Sequence, residues 1–144
     1  VATPLIVHWP DGLKDQNTLR HSPSHIIDIA PTCLNAAGLS TKGMEGQTLL
    51  PVFTKDSTQP RTLFWEHEGN RAVRQGDYKL VAQHNTPWEL YNMRKDRNEL
   101  HDLSRSMPQK AAELKKLYEA WAHRVGAKPW DEVSIIRKKN PSKK

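Results

Sequence analysis

The chain has 144 residues, a formal net charge of +6 and a hydrophobic fraction of 36%. That length allows one modestly cored domain, and the apolar fraction lies below the usual range of about 45–50%. One cysteine, Cys33, excludes an internal disulfide and a cysteine-based zinc cluster, and no run approaches the roughly 20 apolar residues of a membrane span.

The excess charge is local. Arg137, Lys138, Lys139, Lys143 and Lys144 hold five of the 22 basic residues, which leaves 17 against 16 acidic ones in the body. A phosphate-binding face needs positive charge clustered on the folded part. Here residues 131–144 read as a basic, solvated and disordered tail, so neither a nucleic-acid nor a membrane partner is expected.

Pro4 to Trp9 (PLIVHW) is a continuous apolar run ended by the turn signal Pro10–Asp11–Gly12. It reads as a strand covered on both faces, of the kind a parallel sheet contains. No other run in the chain offers it a parallel neighbour. With the opening at Val1 in place of Met, this leads us to expect a segment of a longer polypeptide.

Asp28 is placed to cap a helix over 29–37 with Pro31 in its first turn, and Gly38 stops it. Ile29, Cys33, Leu34 and Ala37 then share an apolar face, which makes Cys33 an inert core thiol. Residues 39–60 read as a long connection. Three strand-like runs follow at 62–67, 71–74 and 78–83, separated by Glu68–Gly69–Asn70 and Gln75–Gly76–Asp77. A fourth run, 88–91, completes an antiparallel meander.

The last helix is expected over 107–125. Ser106 and Gln109 form a capping box, and Gly126 ends the element. Ala111, Leu114, Leu117, Trp121 and Val125 make the apolar stripe that packs on the meander.

Chemistry concentrates at one bend. His67, Asn70 and Arg71 put an imidazole, an amide and a guanidinium around the first hairpin turn. A guanidinium fork suits an oxyanion such as sulfate or phosphate, and an imidazole can give a proton to a leaving group. The plainer reading is an exposed hairpin with Glu–Arg pairs. Glu66, His67 and Glu68 alternate between faces and cannot readily share one ion. His21 and His25 have helical spacing, but Ser22–Pro23 breaks it. His8 beside Trp9 has an adequate structural explanation.

Five stretches, taken together, resemble sulfatases. They are PLIVHWPDG (4–12), SHIIDIAPTCLNAAG (24–38), EGQTLLP (45–51), RTLFWEHEGNRAVRQGDYKLV (61–81) and WELYNMRKDRNELHDL (88–103). The likeness is greatest to bacterial arylsulfatase-like enzymes of the alkaline-phosphatase superfamily, in their carboxyl-terminal part. It implies an α/β fold, α+β for this segment alone. Residues 1–50 would end the large mixed-sheet domain and pack poorly alone. Residues 51–130 would form a subdomain with a small four-stranded antiparallel sheet packed on the terminal helix.

The resemblance also implies hydrolysis of sulfate esters by a formylglycine made from Cys or Ser, with a divalent cation, usually Ca2+. No C-x-P-S-R, S-x-P-x-R, D-D or D-N motif occurs here, so no catalytic or metal residue carries over and the segment alone is expected to be inactive. What carries over is a wall of the substrate pocket, with His67, and Asn70 and Arg71 behind it, for contacting the organic part of a sulfated small molecule or glycan. The partner implied is the remainder of the same sulfatase domain, in a periplasmic or secreted protein. A related phosphodiesterase or phosphonate hydrolase, and a non-catalytic interaction module, are the alternatives.

Overall fold

The structure, a computed structural model, describes residues 3–15, 17–57 and 61–139. It divides into two compact units, Val1–Gln59 and Pro60–Lys144, so the division falls nine residues after the expected boundary at 50.

The first unit is held by polar pins more than by a core. Its expected strand over 4–9 is absent: these residues carry no regular structure, and Leu5 and Ile6 are 52% and 89% exposed. A strand persists only where its N–H and C=O groups find a ladder, and no strand is described in this unit. The turn that follows is present, with the Leu13 N–H donating to the Trp9 carbonyl at 2.9 Å.

A 3-10 turn, Ile26–Asp28, leads into α1, Ile29–Ala36. Asp28 makes no capping bond to α1. The helical path starts a turn earlier, where His25 is the cap and its Nδ1 accepts from the Ile27 N–H. Asp28 is fully buried and accepts from the backbone N–H groups of His25 (2.8 Å) and Gln47 (3.0 Å). Thr32 Oγ1 donates to the Asp28 carbonyl and accepts from the Leu49 N–H at 2.8 Å.

These bonds stitch the 45–49 segment onto α1. Gly46 permits the approach, since a Cβ there would run into the Ile27 carbonyl. The buried face of α1 is therefore Pro31 and Thr32, not the apolar one. Ile29 and Cys33 are exposed, which corrects the expectation of a core thiol.

A short helix, α2 (Leu50–Thr54), occupies part of the expected connection, with Pro51 in its first turn. Arg20 caps its far end by donating to the Val52, Phe53 and Thr54 carbonyls at 2.9–3.1 Å. Asp56 accepts from Ser22 Oγ and from the Ser22 and His21 N–H groups at 2.7–2.8 Å. The Ser22 hydroxyl, with these backbone donors, holds its carboxyl below the usual range.

The second unit is the expected meander. Strands β1 (Thr62–His67), β2 (Asn70–Gln75), β3 (Tyr78–Ala82) and β4 (Glu89–Asn92) form an antiparallel sheet in chain order. Its register puts Phe64, Val73, Leu80 and Leu90 in one row, on the face that α3 (Pro108–Val125) covers. Leu114 and Tyr118 close that core, and Phe64 stacks on Trp121 at 5.0 Å.

The helical stripe is thus centred on Leu114 and Tyr118, one position round from Leu117, and Val125 stays 42% exposed. Ser106 does not cap α3. Its hydroxyl donates back to the Leu103 carbonyl, and Met107 holds the cap position without a side-chain bond. Gly126 ends the helix in the left-handed conformation, at φ 70°.

Residues 102–103 partner the free edge of β4. Asp102 Oδ1 accepts from the Leu90 N–H, and the Leu103 N–H donates to the Leu90 carbonyl at 2.7 Å. Beyond α3, residues 131–139 were expected in a disordered tail and instead lie in a helix, α4, Trp130–Lys139. Acidic Asp131 and Glu132 open it, the placement that suits the helix dipole. The remainder of the expected tail, 140–144, lies outside the described residues.

Tyr91 lies on the sheet face opposite α3 and donates to Glu89 Oε2 at 2.9 Å. Burial, then the hydrogen bond and negative charge of Glu89, push its phenol up to about 12. A phenol held neutral in the folded state contributes stability in full below about pH 10, lost as pH rises through its folded value. Tyr91→Phe is therefore expected to flatten the alkaline arm of the stability–pH curve between pH 10 and 12. Denaturant midpoints across that range measure it, and equal slopes for the two proteins would refute it.

Candidate functional site

The first hairpin turns on two residues, Glu68 and Gly69, both with positive φ (52° and 84°), as a tight type I′ turn requires. Gly69 is needed twice over, for the backbone angle and because a Cβ would collide with the His84 ring. The Gly69 N–H donates to Glu66 Oε1 at 3.0 Å. His67 and Asn70 face each other as the closing pair of the ladder.

Side chains on successive strand residues point to opposite faces, and this divides the three expected site residues. His67 and Asn70 are exposed at the tip, on the face away from α3. Arg71 pairs with Glu66 and Ala82 in a row on the α3 face. The structure brings His67 and Asn70 together and separates Arg71 from them.

The Asn70 amide is tied down at both of its ends. Its Nδ2 donates to the His67 carbonyl at 2.9 Å, and its Oδ1 accepts from the His84 N–H at 3.2 Å. It joins the β1–β2 turn to the β3–β4 loop. His67 keeps an exposed imidazole on the fixed backbone beside it.

Arg71 is half-buried, with its guanidinium carbon 4.8 Å from the Trp88 ring centroid. Its Nε is buried with no hydrogen-bond partner among the described residues. Trp88 packs edge-on against Tyr118 at 5.3 Å. Burial raises the Tyr118 phenol above its usual range, the Glu66 carboxylate adds to that, and the Arg71 cation opposes it. Arg71 is thus held by aromatic packing behind the tip.

Trp88, Tyr118 and His84 are neighbours of this bend that no local motif marks. Trp88 was visible as a strand residue, but its contact with Arg71 spans 17 positions and follows only from register. Among the described residues, no group of three or more His, Cys, Asp or Glu side chains could hold a metal ion. No helix among them is long and apolar enough to cross a membrane.

Residues 1–124 match a family model described as N-sulphoglucosamine sulphohydrolase, C-terminal. Arylsulfatase K of Danio rerio is 31% identical over 129 residues, covering 79% of this chain and 24% of that protein. An uncharacterized sulfatase of Schizosaccharomyces pombe is 38% identical over 138 residues, covering 84% and 24% respectively.

Among solved structures, Ps i-CgsB matches with a TM-score of 0.60 at 25% identity, over 69% of this chain and 24% of that one. Its complex with k-i-k-neocarrahexaose matches with a TM-score of 0.56, also at 25% identity, over 65% and 23%. The chain therefore spans about a quarter of the length of the curated relatives it matches, each at 24%.

Proposed function

This chain belongs to the sulfatase family, within its carboxyl-terminal part, and we propose that it forms one wall of the substrate cleft in an enzyme that hydrolyses sulfate esters of a saccharide. The hydrolytic centre would lie in other residues of the full-length protein: a formylglycine nucleophile and a divalent cation, usually calcium. The donors described here do not fit such a cation, since no three of them converge.

When bound, the cation would polarise sulfate oxygens and stabilise charge in the transition state. This chain's own part is to bind and orient. His67, exposed on a two-residue turn, is set to contact the organic portion of the substrate. Asn70 holds that turn, and Arg71 stiffens it from the other face.

The observation that carries the reading is the family match over residues 1–124. A saccharide substrate draws support from two sources. One is the description of that family, and the other is Ps i-CgsB, solved in complex with k-i-k-neocarrahexaose. A protein of this kind would be secreted or periplasmic.

Full-length protein containing this segment is expected to release sulfate from glucosamine 6-O-sulfate or 4-nitrophenyl sulfate, and to lose that activity on calcium chelation. Purified residues 1–144 are expected to release none. Metal-dependent turnover by the isolated 144 residues would overturn the assignment of the chemistry to other residues. Inactivity of the full-length protein toward every sulfate ester would overturn the function itself.

A further inference from the structure

His84 sits where three segments meet. Its backbone N–H donates to Asn70 Oδ1, and its Nε2 lies 3.0 Å from Asn85 Nδ2 and 3.2 Å from Asp131 Oδ1. Asp131 stands in the first turn of α4, where a carboxylate also suits the helix dipole. One residue earlier, the Trp130 Cβ would lie 3.0 Å from a Cβ built on Gly69. The start of α4 therefore rests on the hairpin tip and on the β3–β4 loop together.

From Asp131 the contacts run through His84 to Asn70, and from Asn70 to the carbonyl of His67. An exposed two-residue hairpin end is the part of a sheet that frays first. Here the end is gripped from both sides. Asn70 ties its two strands, and the contacts of Asp131 with His84 and of Trp130 with Gly69 press α4 on it.

We propose that α4 is a positioning strap, in which Asp131 acts through His84 and Asn70 to hold the His67 tip in the orientation that meets the substrate. This deepens the cleft-wall reading above and rests on it. Asp131, His84 and Asn70 are positioning residues, and His67 is the contact. Sequence gave no hint of the strap, because Asp131 and His84 are 47 positions apart and the segment reads as a charged tail.

The test uses full-length enzyme carrying Asp131→Ala, Asp131→Asn or His67→Ala. Steady-state kinetics on glucosamine 6-O-sulfate and on 4-nitrophenyl sulfate are read beside hydrogen exchange at the amides of residues 69–71. Asp131→Ala is expected to speed that exchange about fivefold, the loss of one charge-assisted contact. It should also raise KM for the saccharide about threefold, with kcat within twofold. Asp131→Asn, which keeps an acceptor for the ring N–H, should restore most of both.

Unchanged exchange in Asp131→Ala would overturn the strap. A lowered melting temperature with unchanged KM would reduce it to a structural contact and overturn the positioning role. If His67→Ala leaves KM unchanged while exchange in Asp131→Ala still rises, the cleft-wall reading fails and the positioning role falls with it.

Discussion

Leu80→Ala is expected to destabilise the sheet-and-helix unit by about 3–5 kcal/mol, the upper range for emptying a buried leucine site. Leu80 is fully buried in the row that also holds Phe64, Val73 and Leu90. Its flanks are strands whose hydrogen bonds fix their spacing, and α3 closes the remaining side with Leu114 and Tyr118. The cavity has little freedom to collapse, so both the transfer loss and the void persist.

Domains of this size are commonly stable by only about 5–15 kcal/mol, so the variant should stand near its unfolding threshold. Denaturant unfolding should show a lower midpoint with an unchanged slope. Leu100→Ala, at a site 73% exposed, is the control and should shift the midpoint little. Equal shifts for the two variants would show that the row is not the core.

Asp28→Ala is expected to have the largest effect in the other unit, about 2–4 kcal/mol. The substitution removes a fully buried acceptor and strands the His25 and Gln47 N–H groups. Both are part-buried N–H groups bonded to a carboxylate, and such bonds to a charged group stabilise by about 1.5–3 kcal/mol each. Leu49 and Pro31 are the buried apolar side chains described in this unit, so little else compensates. Amide exchange at His25 and Gln47 is the direct reading. Both should speed sharply in Asp28→Ala, and less in Asp28→Asn, which retains one carbonyl acceptor. Unaltered exchange would mean that Asp28 does not pin the 45–49 segment.

The difference between the units explains what could be read in advance. In the meander, each strand is a short β-favouring run, and the first two turns each carry a glycine, Gly69 and Gly76. Strands β1 to β4 therefore agree with the expected runs to within a few residues. The site behaved differently. His67, Asn70 and Arg71 are close in sequence around the bend, but the strands put the first two on one face and Arg71 on the other. A one-residue step along a strand reverses the face, so the nearest neighbour in the chain became the most separated in space.

The errors share a cause. Asp28 and Ser106 both look like helix caps, yet each helical path takes its cap elsewhere, at His25 and Met107. Cys33 lies on an apolar helix face that remains exposed while Pro31 and Thr32 are buried. Residues 4–9 have strand composition but no ladder. In every case the local pattern was real, and its outcome depended on a partner from elsewhere.

What the amino-acid sequence determined by itself is the sulfatase likeness, the antiparallel meander with its terminal helix, and the hairpin that presents His67. These rest on periodicity, turn chemistry and order of motifs, all of which act over a few residues. Only the tertiary structure decided which face Arg71 occupies, which side of α1 is buried, and that α4 grips the hairpin through Asp131 and His84. Those outcomes depend on register and on contacts tens of residues apart. The free energy of burying or pairing a side chain there is set by what arrives opposite it, and a single position in the chain holds no record of that.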